Sequence, residues 1–165
     1  MITNVNGQKF QEFNTLRASK DIKGVKLVLK PTENGQITFQ MARQNGFNQN
    51  GLPTFDYNNS FFFVFSDIEI ASIVRAIEKQ FRNFDLNTGV LVKELTFSHL
   101  NAKKPKNIKI AFSVYNEQLQ CRLSCYPQYN NEQPISIYLN EAETECLKEV
   151  CKCQYSFSLA RAIAD

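Results

Sequence analysis

The side chains best suited to covalent or acid–base chemistry are few, and they are poorly spaced for catalysis. The chain holds one histidine, His99, and five cysteines, Cys121, Cys125, Cys146, Cys151 and Cys153. A Cys–His nucleophile has no local signature around any of these thiols. Glu141, Glu143, Glu145 and Glu149 cluster, but on a segment that reads as a helix, where acids near the N-terminus favour the dipole. Cys151-Lys152-Cys153 is closely spaced, yet no CxxC pair exists and His99 is far off in sequence. The thiols therefore read as reduced, small buried residues and not as zinc ligands. The expectation is a protein without enzymatic activity, metal or cofactor.

A second set of residues has the types that binding needs. Lysine and arginine neutralise phosphates, and exposed Phe and Tyr stack on bases of any identity, at about 1–3 kcal/mol per base. The chain has 14 Phe and 6 Tyr, and a net charge of +3. That charge permits a polyanionic partner without demanding one. Function then depends on whether the fold gathers these cations and aromatics on one exposed face.

The elements that must do so repeat. In "KLVLKPTENGQITFQMA" two alternating runs, Val25–Lys30 and Gln36–Arg43, flank a turn with Pro31 and Asn34-Gly35. In "KIAFSVYNEQLQCRLSC" strands near Ile108–Val114 and Gln118–Tyr126 flank Asn116-Glu117. A strand precedes each hairpin, at Lys9–Thr15 and at Val90–Leu100. Each hairpin leads to a further strand, "FFFVF" (61–65) or "ISIYL" (Ile135–Leu139). Each of these runs into a capping box, Ser66-Asp67-Ile68-Glu69 or Asn140-Glu141-Ala142-Glu143. Ile70, Ile73, Val74, Ile77 and Phe81 follow at helical spacing, and Leu147, Val150 and Cys151 mark the second helix. The predicted fold is α+β: two tandem strand-strand-strand-strand-helix repeats packed as one domain over 1–165, with antiparallel sheets and helices on one face. Repeat 1 spans about 9–84 and repeat 2 about 90–153. The tail 154–165 is expected to form a last helical turn or a docking segment.

Period-two alternation then sorts the faces. Phe61, Phe63 and Phe65 align with Ile135, Ile137 and Leu139 and point at the helices. Leu27, Leu29, Ile37, Phe39, Met41, Ile108, Ile110, Phe112, Val114, Leu119, Cys121 and Leu123 point the same way. The opposite face carries Lys26, Val28, Lys30, Thr38, Gln40, Phe62 and Val64 in the first half. In the second half it carries Lys109, Ala111, Ser113, Tyr115, Gln120, Arg122, Ser124, Tyr126, Ser136 and Tyr138. No acid is among them. The loop "NAKKPKN" adds Lys103, Lys104 and Lys106 as a backbone clamp. The loop "RQNGFNQNGLPTFDYNNS" is long enough to wrap a ligand or a neighbouring subunit. A solvated sheet also displays lysines, and Phe62 can equally pack on another subunit.

The segments "IKGVKLVLKP", "FDYNNSFFFVFSDIEIASIVRAI" and "NEQPISIYLNEAETECLKEV", within a repeated four-strand-and-helix plan, resemble the Whirly family. These are single-stranded-DNA-binding proteins related in fold to kinetoplastid mitochondrial RNA-binding proteins and to positive-cofactor-type coactivators. The resemblance runs from about Asp21 to about Leu159. It implies a homo-oligomer, with a tetramer favoured, and single strands lying along sheet surfaces and edges. On that basis Lys26, Lys30, Gln40, Phe62, Lys109, Arg122 and Tyr138 are the binding candidates. The partner it implies is single-stranded DNA, with RNA possible, bound without sequence preference. The alternative is an assembly protein, for example a phage component, that uses the aromatic face for subunit contacts.

The N-terminus "MITNVNGQKF" lacks a secretory pattern, and no apolar run approaches the length of a membrane span. An intracellular, cytoplasmic, soluble protein is expected. Its Asn-rich composition points to an AT-rich genome, as in a phage or a bacterium.

Overall fold

The alternating runs form antiparallel strands, and a long helix follows the last strand of each half. The computed structural model describes residues 2–5, 8–14, 24–31, 36–85 and 94–164, with side chains placed over 24–30, 36–85 and 94–154. The first half contains β1 (Ile2–Val5), β2 (Gln8–Asn14), β3 (Val25–Pro31), β4 (Ile37–Phe47), β5 (Pro53–Phe55), β6 (Phe61–Val64) and α1 (Asp67–Asp85). The second half contains β7 (Glu94–His99), β8 (Lys106–Tyr115), β9 (Gln118–Pro127), β10 (Ile135–Leu139) and α2 (Glu141–Ala164). Four antiparallel strands in the order β2-β3-β4-β6 form the centre of the first sheet, and β7-β8-β9-β10 form the second. The predicted α+β architecture, four strands and a helix in each half, is the observed one.

Three elements go beyond the predicted set. β1 pairs with β2 outside the predicted first strand. β4 continues past Arg43 to Phe47 and is met by β5, inside the segment expected to be a loop. Asn48 makes that turn, its Oδ1 accepting from the amides of Asn50 and Leu52, while Gly51 takes a left-handed φ of 72° that suits glycine. The predicted tail 154–165 is largely a continuation of α2, which runs without a break to Ala164. The predicted turn at Asn34-Gly35 and the strand start at 90–93 lie outside the described residues.

Both capping boxes form. The Ser66 amide donates to Glu69 and the Glu69 amide to Ser66 Oγ. Asn140 and Glu143 make the same reciprocal pair. These caps start each helix directly after its strand, so the apolar stripe of the helix lies over the inward strand face. Phe61, Phe63 and Phe65 are buried, as are Ile135, Ile137 and Leu139. One buried cluster draws on both sheets and both helices. Phe39, Phe63 and Phe65 form its aromatic centre, and Phe97 of β7 meets Phe65 at 5.1 Å between centroids.

Of the predicted inward residues, Val114 departs: it is 46% exposed. It sits beside the Asn116–Glu117 turn, where both central residues have positive φ, in an exposed run from Val114 to Gln118 at the hairpin tip. The Cys151/Cys153 pair divides as helical geometry requires. Cys151 is buried and Cys153 exposed, because two residues along a helix turn a side chain through about 200°.

Candidate nucleic-acid interface

The outward faces of the two sheets carry exposed aromatics on their edge strands, Phe62 on β6 and Tyr138 on β10, besides the half-buried Tyr126 on β9 and the exposed Tyr115 at the end of β8. β6 pairs within its sheet with β4 and β10 with β9. In the first sheet Phe62 stands opposite Gln40, which stands opposite Val28. Val64 stands opposite Thr38, which stands opposite Lys30. In the second sheet Tyr138, Arg122, Ala111 and Glu94 form one rung, and Ser136, Ser124, Lys109 and Thr96 form the next. Phe62 is 48% and Tyr138 42% exposed. These are large flat rings with open faces on the side of each sheet away from the core.

Cations accompany the rings. Arg122 hydrogen-bonds Tyr138, which raises the guanidinium above its ordinary value, so it is charged at any physiological pH. The Lys109 ammonium lies 5.3 Å from the Tyr126 ring centroid, and that of Lys26 lies 5.5 Å from Phe55. Lys30 is partly exposed on the Val64 rung. In the 101–105 turn Lys103 and Lys104 are exposed, with Lys104 over Tyr129 at 5.9 Å. Cation–π placement holds a lysine against a ring while leaving its outer hydrogens for an anion.

Several candidates are placed otherwise. Gln40 is 3% exposed, and its amide nitrogen donates to Ser60 Oγ at 2.8 Å. Ser60 is held by its own bond to the Tyr57 carbonyl, and that turn is fixed by Asp56, whose carboxylate accepts from Asn59. Gln40 is thus built into the sheet and does not line an open surface. Val28 and Ser124, both expected outward, are also buried. They occupy central strands, each paired along both edges. Ser124 shares a 2.7 Å hydrogen bond with Ser136.

Lys106 is the clearest correction to the clamp. It is 6% exposed, begins β8, and donates to the Phe62 main-chain carbonyl. Burial pulls its ammonium below the ordinary lysine value. Lys103 and Lys104 remain on the surface; Lys106 does not.

The face also contains an acid. Glu94 lies on the outward side of β7, 3.0 Å from Lys109 Nζ. The signal for it was available in "ELTFSH", whose alternation puts Glu94, Thr96 and Ser98 on the exposed side. His99 and the capping-box acid Glu69 join across the two halves, with Nε2 at 3.0 Å from Oε1. Among the described residues no group of three or more His, Cys, Asp or Glu gathers as metal ligands, and no helix is long and apolar enough to cross a membrane.

No protein-family model matches the sequence, and no curated protein matches it. Among solved structures, the fold is similar to that of WHY1 from Arabidopsis thaliana, with a TM-score of 0.58 and 15% identity, over 94% of this chain and 91% of that one. At that identity the likeness is one of fold: a Whirly-like arrangement of two sheets and two helices.

Proposed function

We propose that the protein binds single-stranded nucleic acid, DNA in preference to RNA, without sequence selectivity and as a homo-oligomer, with a tetramer favoured. The observation that carries this reading is the placement of Phe62 and Tyr138. Both are exposed aromatics on edge strands, on faces that also carry Lys26, Lys30, Lys109 and Arg122. Unpaired bases can stack on such rings while their phosphates meet the cations, and a duplex hides the base faces that stacking requires. The Whirly-like fold supports the same reading. The exposed apolar tips of the two hairpins, Phe47 and Leu52 on one and Val114 and Tyr115 on the other, suit contacts between protomers. No catalytic step enters this proposal. The test is a parallel titration of single-stranded DNA, single-stranded RNA and duplex DNA of equal length, with the mass of the free protein measured in solution. Tight single-strand binding with weak duplex binding is expected; equal affinity for duplex contradicts it.

A further inference from the structure

Two residues of the β7–β8 hairpin hold the first half of the chain at the root of its aromatic platform. Lys106 and His99 are cross-strand partners. From this one rung, the Lys106 ammonium donates to the Phe62 carbonyl at 2.5 Å, and His99 Nε2 lies 3.0 and 3.2 Å from the two Glu69 oxygens. The His99 ring also meets Phe65 edge-on, 5.8 Å between centroids. Strand β6 and the start of α1 are therefore gripped at both ends by the second sheet.

The gripped carbonyl belongs to the exposed aromatic itself. β6 pairs with β4 along one side, and Lys106 supplies a partner on the other, where no strand pairs with it among the described residues. A cleft of about 530 Å³ opens beside it, lined by Phe62, Val64, Ser66, His99 and Lys106. The Phe62 ring is 48% exposed beside this cleft, so the course of its main chain governs where the ring stands. The stance of that main chain is what Lys106 fixes. Lys106 as a whole is 6% exposed, and its ammonium is engaged by the Phe62 carbonyl.

We infer that Lys106, with His99 as the second prong, is a positioning residue for Phe62: it sets the ring against an incoming base, couples the platform to the second sheet, and makes no phosphate contact. This rests on the single-strand reading above.

The test is a double-substitution cycle on the full chain, using oligo-dT anisotropy over a salt series and an oligonucleotide carrying 2-aminopurine as a stacking probe. Lys106→Met is expected to weaken binding by about fivefold or more, the low end of what one stacked base contributes, and to reduce quenching of the probe. Its salt dependence should match the parent's. In the Phe62→Ala background Lys106→Met should add nothing further. A salt slope shallower by ~0.7, the signature of a lost phosphate contact on a single strand, overturns the role, as does a loss that simply adds to that of Phe62→Ala. Should Lys106→Met not fold, His99→Gln carries the same cycle from the other prong. A parent protein that binds no single strand overturns the single-strand reading itself, whereas a binding parent with an additive cycle overturns only the role of Lys106.

Discussion

Glu94 and Lys109 sit diagonally across β7 and β8, with the carboxylate 3.0 Å from the ammonium. Both side chains are substantially exposed, so the pair contributes under about 1 kcal/mol to stability. Its larger consequence is electrostatic, since it neutralises a cation on the face assigned to phosphates. Glu94→Gln is therefore expected to leave the fold intact, tighten oligo-dT binding at low salt, and steepen the salt slope by up to ~0.7. A titration series at four salt concentrations checks this; unchanged affinity at every salt would mean that Lys109 meets no phosphate.

Gln40 tests the boundary of the interface from the other direction. Its amide bonds Ser60, but its Oε1 is buried without a partner among the described residues. Replacing it by methionine loses a hydrogen bond worth about 1 kcal/mol and removes an unsatisfied acceptor of similar cost. Gln40→Met is expected to be near neutral in stability by urea denaturation and to leave oligo-dT affinity within about twofold, as for sites away from a binding surface. A marked loss of affinity would return Gln40 to the interface.

Much of this arrangement was legible in the residues. The unbroken "FFFVF" resolves by alternation into Phe61, Phe63 and Phe65 inward and Phe62 and Val64 outward, because the strand pleat has period two. Both helix starts were legible because a capping box is written in four adjacent residues. What escaped is what depends on distant partners. Lys106 finds a carbonyl 44 residues away; the inward alternation of Ile108 and Ile110 extends back to it, so its side was legible and only its partner was hidden. Gln40 and Val28 obey the alternation, yet both lie buried on central strands, Gln40 bonded to Ser60 from beyond its own hairpin. The length of α2 was obscured because its far end lacks the regular apolar stripe of α1.

The capping boxes carry a stability prediction. Ser66→Ala and Asn140→Ala each remove an acceptor for a helix N-terminal amide. Each is expected to cost about 1 kcal/mol in chemical denaturation. The Ser66 change lies at the Glu69–His99 contact and so is expected to cost at least as much as the Asn140 change; the reverse order would separate that contact from the stability of α1.

The thiols carry a prediction about alkaline pH. Burial pushes Cys121 and Cys151 up to about 12 and Cys125 to about 11, from an ordinary 9.0. Below about pH 8, a unit under the ordinary thiol value, the thiols are protonated in both folded and unfolded chains, so their contribution is full and flat. Above it the unfolded thiols ionise while the folded ones resist, so stability falls as pH rises toward 12. Denaturation midpoints at pH 7, 9 and 10.5 are expected to fall slightly over the first interval and steeply over the second. At pH 8 the exposed Cys153 should react with a thiol reagent well before Cys121 or Cys151.

The central claim is that Phe62 and Tyr138 are base-stacking platforms, and one measurement meets it head-on: anisotropy titration of oligo-dT against the parent, Phe62→Ala, Tyr138→Ala and the double variant over a salt series. Each single change is expected to cost about 1–3 kcal/mol of binding with the salt slope preserved, while thermal stability stays within about 0.5 kcal/mol because both rings are exposed. Unchanged affinity in the double variant, with the fold intact, would contradict the account.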